Sequence, residues 1–181
     1  MEKIRNLFIL FIFFAMCGWI YEVVGTAIVY GYFENRGFLF GPWLPIYGLG
    51  GMVLYAAFGR LVKKPAKPLR VILRIAVLIV CITVITALLE LAASYLLDAV
   101  GIGYRTLWLY DGEPFNFDGR VGLISSLRFG ILGVAALYLA VPLWERFTGI
   151  GEKRLLNAVC WPVIGLFLLD LALRIPLGSN M

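Results

Sequence analysis

The chain contains no histidine. That removes the usual ligand of haem and of most protein-bound zinc, the base of a Ser-His dyad and the HExxH metalloprotease pattern. Cysteine is scarce as well. Cys17, Cys81 and Cys160 lie singly inside apolar runs, without the spacing of a zinc site or a disulfide framework. No metal site and no cofactor is expected. Charge is the third shortage: Asp, Glu, Lys and Arg make up 15% of 181 residues, where a soluble domain carries about a quarter. A P-loop of the GxxxxGK[ST] type is also missing, so the chain has no nucleotide cradle of that kind.

What fills the space is apolar. Hydrophobic residues account for 62% of the sequence, and they cluster into five runs at about 7–30, 46–61, 71–97, 121–143 and 155–175. A crossing needs about 20 apolar residues. The expected fold is therefore an all-α integral membrane protein, a single polytopic domain over 1–181 forming a compact bundle of about five transmembrane helices. The N-terminal run has a basic start but no A-x-A-like cleavage site, and it stays apolar past residue 20, which favours an uncleaved first span over a signal peptide. The net charge of +5 forms no continuous basic face, so a nucleic-acid partner is not expected.

The basic residues report topology instead. Lys3 and Arg5 precede the first span. Arg60, Lys63, Lys64, Lys67, Arg70 and Arg74 surround the link between the second and third, and Arg146, Lys153 and Arg154 surround the link between the fourth and fifth. Eleven of the sixteen Lys and Arg thus fall on one side. The positive-inside rule places that side, and the N-terminus, in the cytoplasm of a plasma (inner) membrane, with the C-terminus outside.

Two outer links break the apolar pattern. In Glu34–Gly48, ENRGFLFGPWLPIYG, glycines and prolines interrupt helix, yet Phe38, Leu39, Phe40, Trp43 and Leu44 are too apolar for a solvated loop. Irregular apolar backbone is tolerated at membrane depth only when it packs in protein or lines a cavity. A re-entrant or folded outer hairpin is expected there, and the shortness of the second run agrees. The second link, GIGYRTLWLYDGEPFNFDGR at 101–120, mixes aromatics with acids and glycines. It reads as a folded interfacial loop or a lid over a substrate, with a further re-entrant element left open.

Glu22, Glu90 and Arg128 lie within spans, at about 10–12 Å from the outer boundary by helical rise. Each such charge costs roughly 2.5–3.5 kcal/mol to insert, more than the roughly 1 kcal/mol that a polar contact between membrane helices returns. A polar cavity is therefore favoured over simple helix-to-helix adhesion, with Ser125 and Ser126 adding hydroxyls near Arg128. Asp170 and Arg174, four residues apart, are expected to pair on one helix face. Gly48, Gly50 and Gly51 suit close helix approach. A late Glu followed by an outer link with Asn, Arg and Gly occurs twice, a weak internal echo that would fit a two-unit transporter or arise by chance.

The motifs GWIYEV, NRGFLFGPWLPIYGLG and WLYDGEPFNFDGRVGLISSLRFG resemble the CmpB-like family of bacterial integral membrane proteins, whose label is "putative ABC-transporter type IV permease". The match runs over roughly residues 18 to 130. By position it carries Trp19, Glu22, Asn35, Arg36, Gly37, Gly41, Pro42, Pro45, Tyr47, Gly48, Phe115, Asn116, Gly119, Arg120, Ser126 and Gly130. The chain departs from the pattern at Phe129, where Trp is expected.

Together these readings nominate Glu22, Asn35, Arg36, Tyr47, Glu90, Asn116, Arg120, Ser126 and Arg128 as substrate-binding residues. The resemblance implies a transport component, an ABC-type permease-like subunit served by a separate ATPase subunit. Five spans are few for one path, so a homodimer or partner subunits are expected beside membrane lipids. Two alternatives stay open: a membrane-embedded enzyme acting on a lipid or lipid-linked substrate, and a non-catalytic lipid-binding or assembly factor.

Overall fold

A computed structural model describes residues 2–150 and 153–178. The protein is an all-α membrane protein, and among the described residues five helices are long and apolar enough to cross a bilayer. Helix α1 spans Glu2–Tyr30, α2 Pro45–Val62 and α3 Pro68–Ala99. A two-stranded hairpin follows, β1 (Asn116–Phe117) antiparallel to β2 (Val121–Gly122). Helix α4 (Leu123–Ala135) continues through a π turn at Ala136–Ala140 into α5 (Val141–Ile150), and α6 covers Lys153–Gly178.

Helices lie over all five apolar runs, most of them longer than the run. The fourth starts later than expected, at Leu123, because Val121 and Gly122 pair with the opposite strand. It also changes period just before Pro142. Proline has no N–H to donate to the preceding turn, and a π turn is one way for a helix to absorb such a gap.

The chain divides into two compact units. In the first, residues 1–52 and 144–181, Phe8 and Phe11 of α1 meet Phe167 of α6 at ring centroid distances of 6.2 and 5.4 Å. Ile12, Ala15, Leu39, Trp43 and Phe167 form the buried core. Gly48 and Gly51 of α2 sit against the rings of Phe11 and Phe14, as small residues at a helix contact should; Gly50 faces open space. In the second unit, residues 53–143, α3 and α4 pack over a long contact. Gly130 there lies against Thr83 and the Ile79 carbonyl.

Both long helices are followed by a segment that folds back along them. After α1 the chain returns until the Leu44 N–H donates to the Ala15 carbonyl at 3.0 Å. The rise from Ala15 to Tyr30 is about 22 Å, so α2 begins about halfway down α1. This explains why α2 has only 18 residues. After α3 the chain also descends: Tyr104 N–H donates to Asp98, Tyr110 hydroxyl to Glu90, and Phe115 and Phe117 reach the level of Leu88. From Leu88 to Ala99 is about 16 Å of helix.

Candidate functional site

In the first unit the 31–44 link is built around Asp170. Its Oδ1 accepts from Phe40 N–H at 3.0 Å, and its Oδ2 accepts from Gly41 N–H at 2.7 Å and from Trp43 Nε1 at 2.8 Å. A turn later, Arg174 Nε donates to the Phe38 carbonyl at 2.7 Å, its guanidinium within 5.4 Å of the Phe38 ring and 4.9 Å of the Phe40 ring. Asp170 and Arg174 therefore clamp the link, in place of the pairing with each other that their spacing suggests. A chain interrupted by glycine and proline leaves backbone donors unpaired, and the buried carboxylate collects two of them, from Phe40 and Gly41, together with the Trp43 indole N–H. Gly37, at φ +99°, supplies a turn that an L side chain would resist.

Glu22 and Tyr47 are brought together here. Tyr47 leaves the link at the start of α2 and lays its ring against Gly18, where any side chain would overlap it. One turn along α1 its hydroxyl donates to Glu22 Oε1. Gly18 and Glu22 thus act on one helix face, the first making room for the ring and the second receiving its hydroxyl. Asn35 accepts from Trp19 Nε1 at 2.6 Å and donates to the Phe40 carbonyl at 3.1 Å. Arg36 pairs with Glu34 at 3.4 Å.

In the second unit Glu90, Ser94 and Asp98 repeat at every fourth position of α3 and so share one face. The 100–122 link docks on that stripe. Glu90, buried, accepts from Tyr110 hydroxyl at 2.7 Å. Arg120 meets the next two: its Nη1 donates to Ser94 at 3.2 Å and its Nη2 pairs with Asp98 at 2.7 Å, while Nε binds Asp118 at 3.1 Å. Its guanidinium also lies 4.3 and 4.2 Å from the ring centroids of Tyr95 and Tyr104. Burial pulls the Arg120 guanidinium down, but the bonds to Asp98 and Asp118 outweigh it and hold the group above its usual range. The exposed Arg105 is raised as well, by its bond to Asp111.

Asn116 fixes the hairpin turn. Its oxygen accepts from Gly119 N–H at 3.0 Å and its amide donates to the Glu113 carbonyl at 2.8 Å. Glu113 accepts from both the hydroxyl and the N–H of Ser125 at the start of α4, where a carboxylate is favoured by the helix dipole. Ser126, next along, is buried. Arg128 lies on the exposed face of α4.

The residues nominated from sequence thus fall into two groups. Glu22, Asn35, Arg36 and Tyr47 belong to the first unit, and Glu90, Asn116, Arg120, Ser126 and Arg128 to the second. Tyr110, Ser94, Asp98 and Asp170 were missed. The four-residue spacing of Glu90, Ser94 and Asp98 was visible as a helical stripe; the partners of Asp170 and Glu90 had no local signal. Among the described residues no cluster of three or more His, Cys, Asp or Glu could hold a metal ion.

A family model described as "Putative ABC-transporter type IV" matches residues 9–175. No curated protein and no solved structure matches the chain.

Proposed function

The chain belongs to the family described as "Putative ABC-transporter type IV", and from that membership we propose that it is the permease-like membrane subunit of a transporter. The observation that carries this reading is the repeated pairing of an intramembrane carboxylate with a tyrosine in or just after a folded-back link, Glu22 with Tyr47 at the start of α2 and Glu90 with Tyr110. Carboxylates at such positions are costly and mark substrate or ion paths in membrane proteins. Transporters built from two repeats also carry their sites where helices are interrupted. The alternation of long helix, returning link and shorter helix in both units supports that comparison.

In this reading Glu22, Asn35, Arg36 and Tyr47 of the first unit, and Glu90, Asn116, Arg120, Ser126 and Arg128 of the second, are substrate-binding residues for a small polar or amphiphilic solute. Both links lie in the outer half of a plasma membrane, with the N-terminus cytoplasmic. ATP hydrolysis is supplied by a separate subunit, because the sequence has no P-loop. A homodimer completes a path that five spans alone would enclose poorly.

The test is purification from native membranes in mild detergent, with mass spectrometry of what accompanies the protein. A stoichiometric nucleotide-binding ATPase is expected, and Glu22→Gln with Glu90→Gln should abolish uptake of the solute that stimulates it. A protein that is isolated without an ATPase and turns over a co-purifying lipid would replace this reading with the enzymatic one.

A further inference from the structure

A groove of about 300 Å³ opens between α3, α4 and the β1–β2 hairpin. Its walls include Val84, Ala87 and Leu88 of α3 and the rings of Phe115 and Phe117, and no lining residue is charged. Its size is at the small end of ligand sites. Three features set it apart from an ordinary crevice between helices. Ser126 lines it, is 2% exposed, and among the described residues its hydroxyl has no hydrogen-bond partner. Thr83, the other hydroxyl there, already donates to the Ile79 carbonyl at 2.8 Å. Phe115 is 84% exposed and holds φ at +57°, a conformation costly for a bulky side chain. The fold thus accepts backbone strain to keep an apolar ring at the groove's edge.

We propose that this groove binds one acyl chain of a phospholipid, with the Ser126 hydroxyl donating to the carbonyl of the ester that joins chain to glycerol. The argument rests on membrane residence and does not depend on the transport reading. Val84 and Leu88 are exposed on a helix apolar enough to cross a bilayer, so the medium facing the groove is lipid. An uncharged, mostly apolar lining suits hydrocarbon. A bare hydrocarbon would leave Ser126 unpaired, and a buried hydroxyl without a partner is costly. The occupant therefore carries an acceptor at the head of its apolar chain, which an ester-linked lipid supplies. The hairpin's return along α3 places the groove below the helix end, where a lipid chain starts rather than where its headgroup lies.

The experiment uses the full chain in nanodiscs containing a phosphatidylcholine with a mid-chain diazirine. After photolysis, cross-linked peptides are mapped by mass spectrometry. Labelling should concentrate at 84–88 and 115–117 and be competed by excess unlabelled diester phosphatidylcholine. The diether analogue, which lacks the carbonyls, should compete severalfold less well, and Ser126→Ala should erase that difference. Ala87→Trp and, independently, Leu88→Trp should fill the groove and remove the labelling while leaving circular dichroism unchanged. Labelling spread evenly along the exposed face of α3 would overturn the proposal. So would equal competition by diester and diether lipids in the unsubstituted protein, or cross-links between two copies of the chain in place of lipid adducts.

Discussion

Replacing Asp170 with Asn tests whether one carboxylate holds the 31–44 link. The carboxylate is 8% exposed and accepts three bonds. Hydrogen bonds to a charged group are worth about 1.5–3 kcal/mol each and neutral ones about 1 kcal/mol. The amide keeps one oxygen. If that oxygen takes the place of Oδ2, Gly41 and Trp43 retain weaker bonds, while Phe40 N–H faces an NH2 that cannot accept. The link should lose about 3 kcal/mol of local stability, roughly a hundredfold in its opening equilibrium at 1.4 kcal/mol per decade. Leu39, 2% exposed beside the clamp, is the reporter. In a background with Cys17, Cys81 and Cys160 replaced by Ala, Leu39→Cys should react with a maleimide about a hundredfold faster when Asp170→Asn is added. Asp170→Ala, which leaves all three donors unpaired, should be faster still. A change below about threefold, under 1 kcal/mol on the same scale, would show that the core of Ile12, Ala15, Leu39, Trp43 and Phe167 holds the link without the carboxylate, and the reasoning would fail.

Three further outcomes follow from other contacts. A double-mutant cycle of Glu22→Gln and Tyr47→Phe, read by thermal unfolding in detergent, should show coupling of about 1–2 kcal/mol; simple additivity would mean that the bond contributes nothing. Gly130→Ala places a Cβ over Thr83 Oγ1 and 2.8 Å from the Ile79 carbonyl, and since backbone cannot step aside it should cost about 1–3 kcal/mol in the same assay. Thr83→Ala should not restore it. Arg120→Lys cannot reach Ser94, Asp98 and Asp118 at once or stack as a guanidinium does, so limited proteolysis should cut the 100–122 link severalfold faster, and an unchanged pattern would argue against its docking on α3.

The spans were legible because crossing a bilayer imposes a length and a composition that a run of residues shows by itself. The break at 34–48 was legible for a related reason: glycine, proline and large apolar residues together fit neither a helix nor a solvated loop. What that break binds was not. Asp170 is more than a hundred residues away, and its spacing to Arg174 pointed to a local pair, while two of its three donors are backbone N–H groups, whose partners no sequence displays, and the third is the distant Trp43 indole. Arg120 shows the same limit in reverse. Its charge stood out as a candidate ligand for substrate, but its partners depend on how the link lies against α3. The stripe of Glu90, Ser94 and Asp98 held that information at helical spacing. It went unread because Ser94 alone is unremarkable inside a membrane helix and Asp98 resembles the end of one.

The clamp on the first link has a consequence for how the protein is made. Residues 38–43 leave the ribosome more than a hundred residues ahead of Asp170 and Arg174. At about 5–20 residues per second, the link waits on the order of ten seconds for its anchors. Over that interval its glycines, prolines and unpaired N–H groups must rest at the membrane surface or against α1 alone. The 31–44 link is thus made well before it can settle, and a chain that stops before α6 would carry that link permanently unfastened.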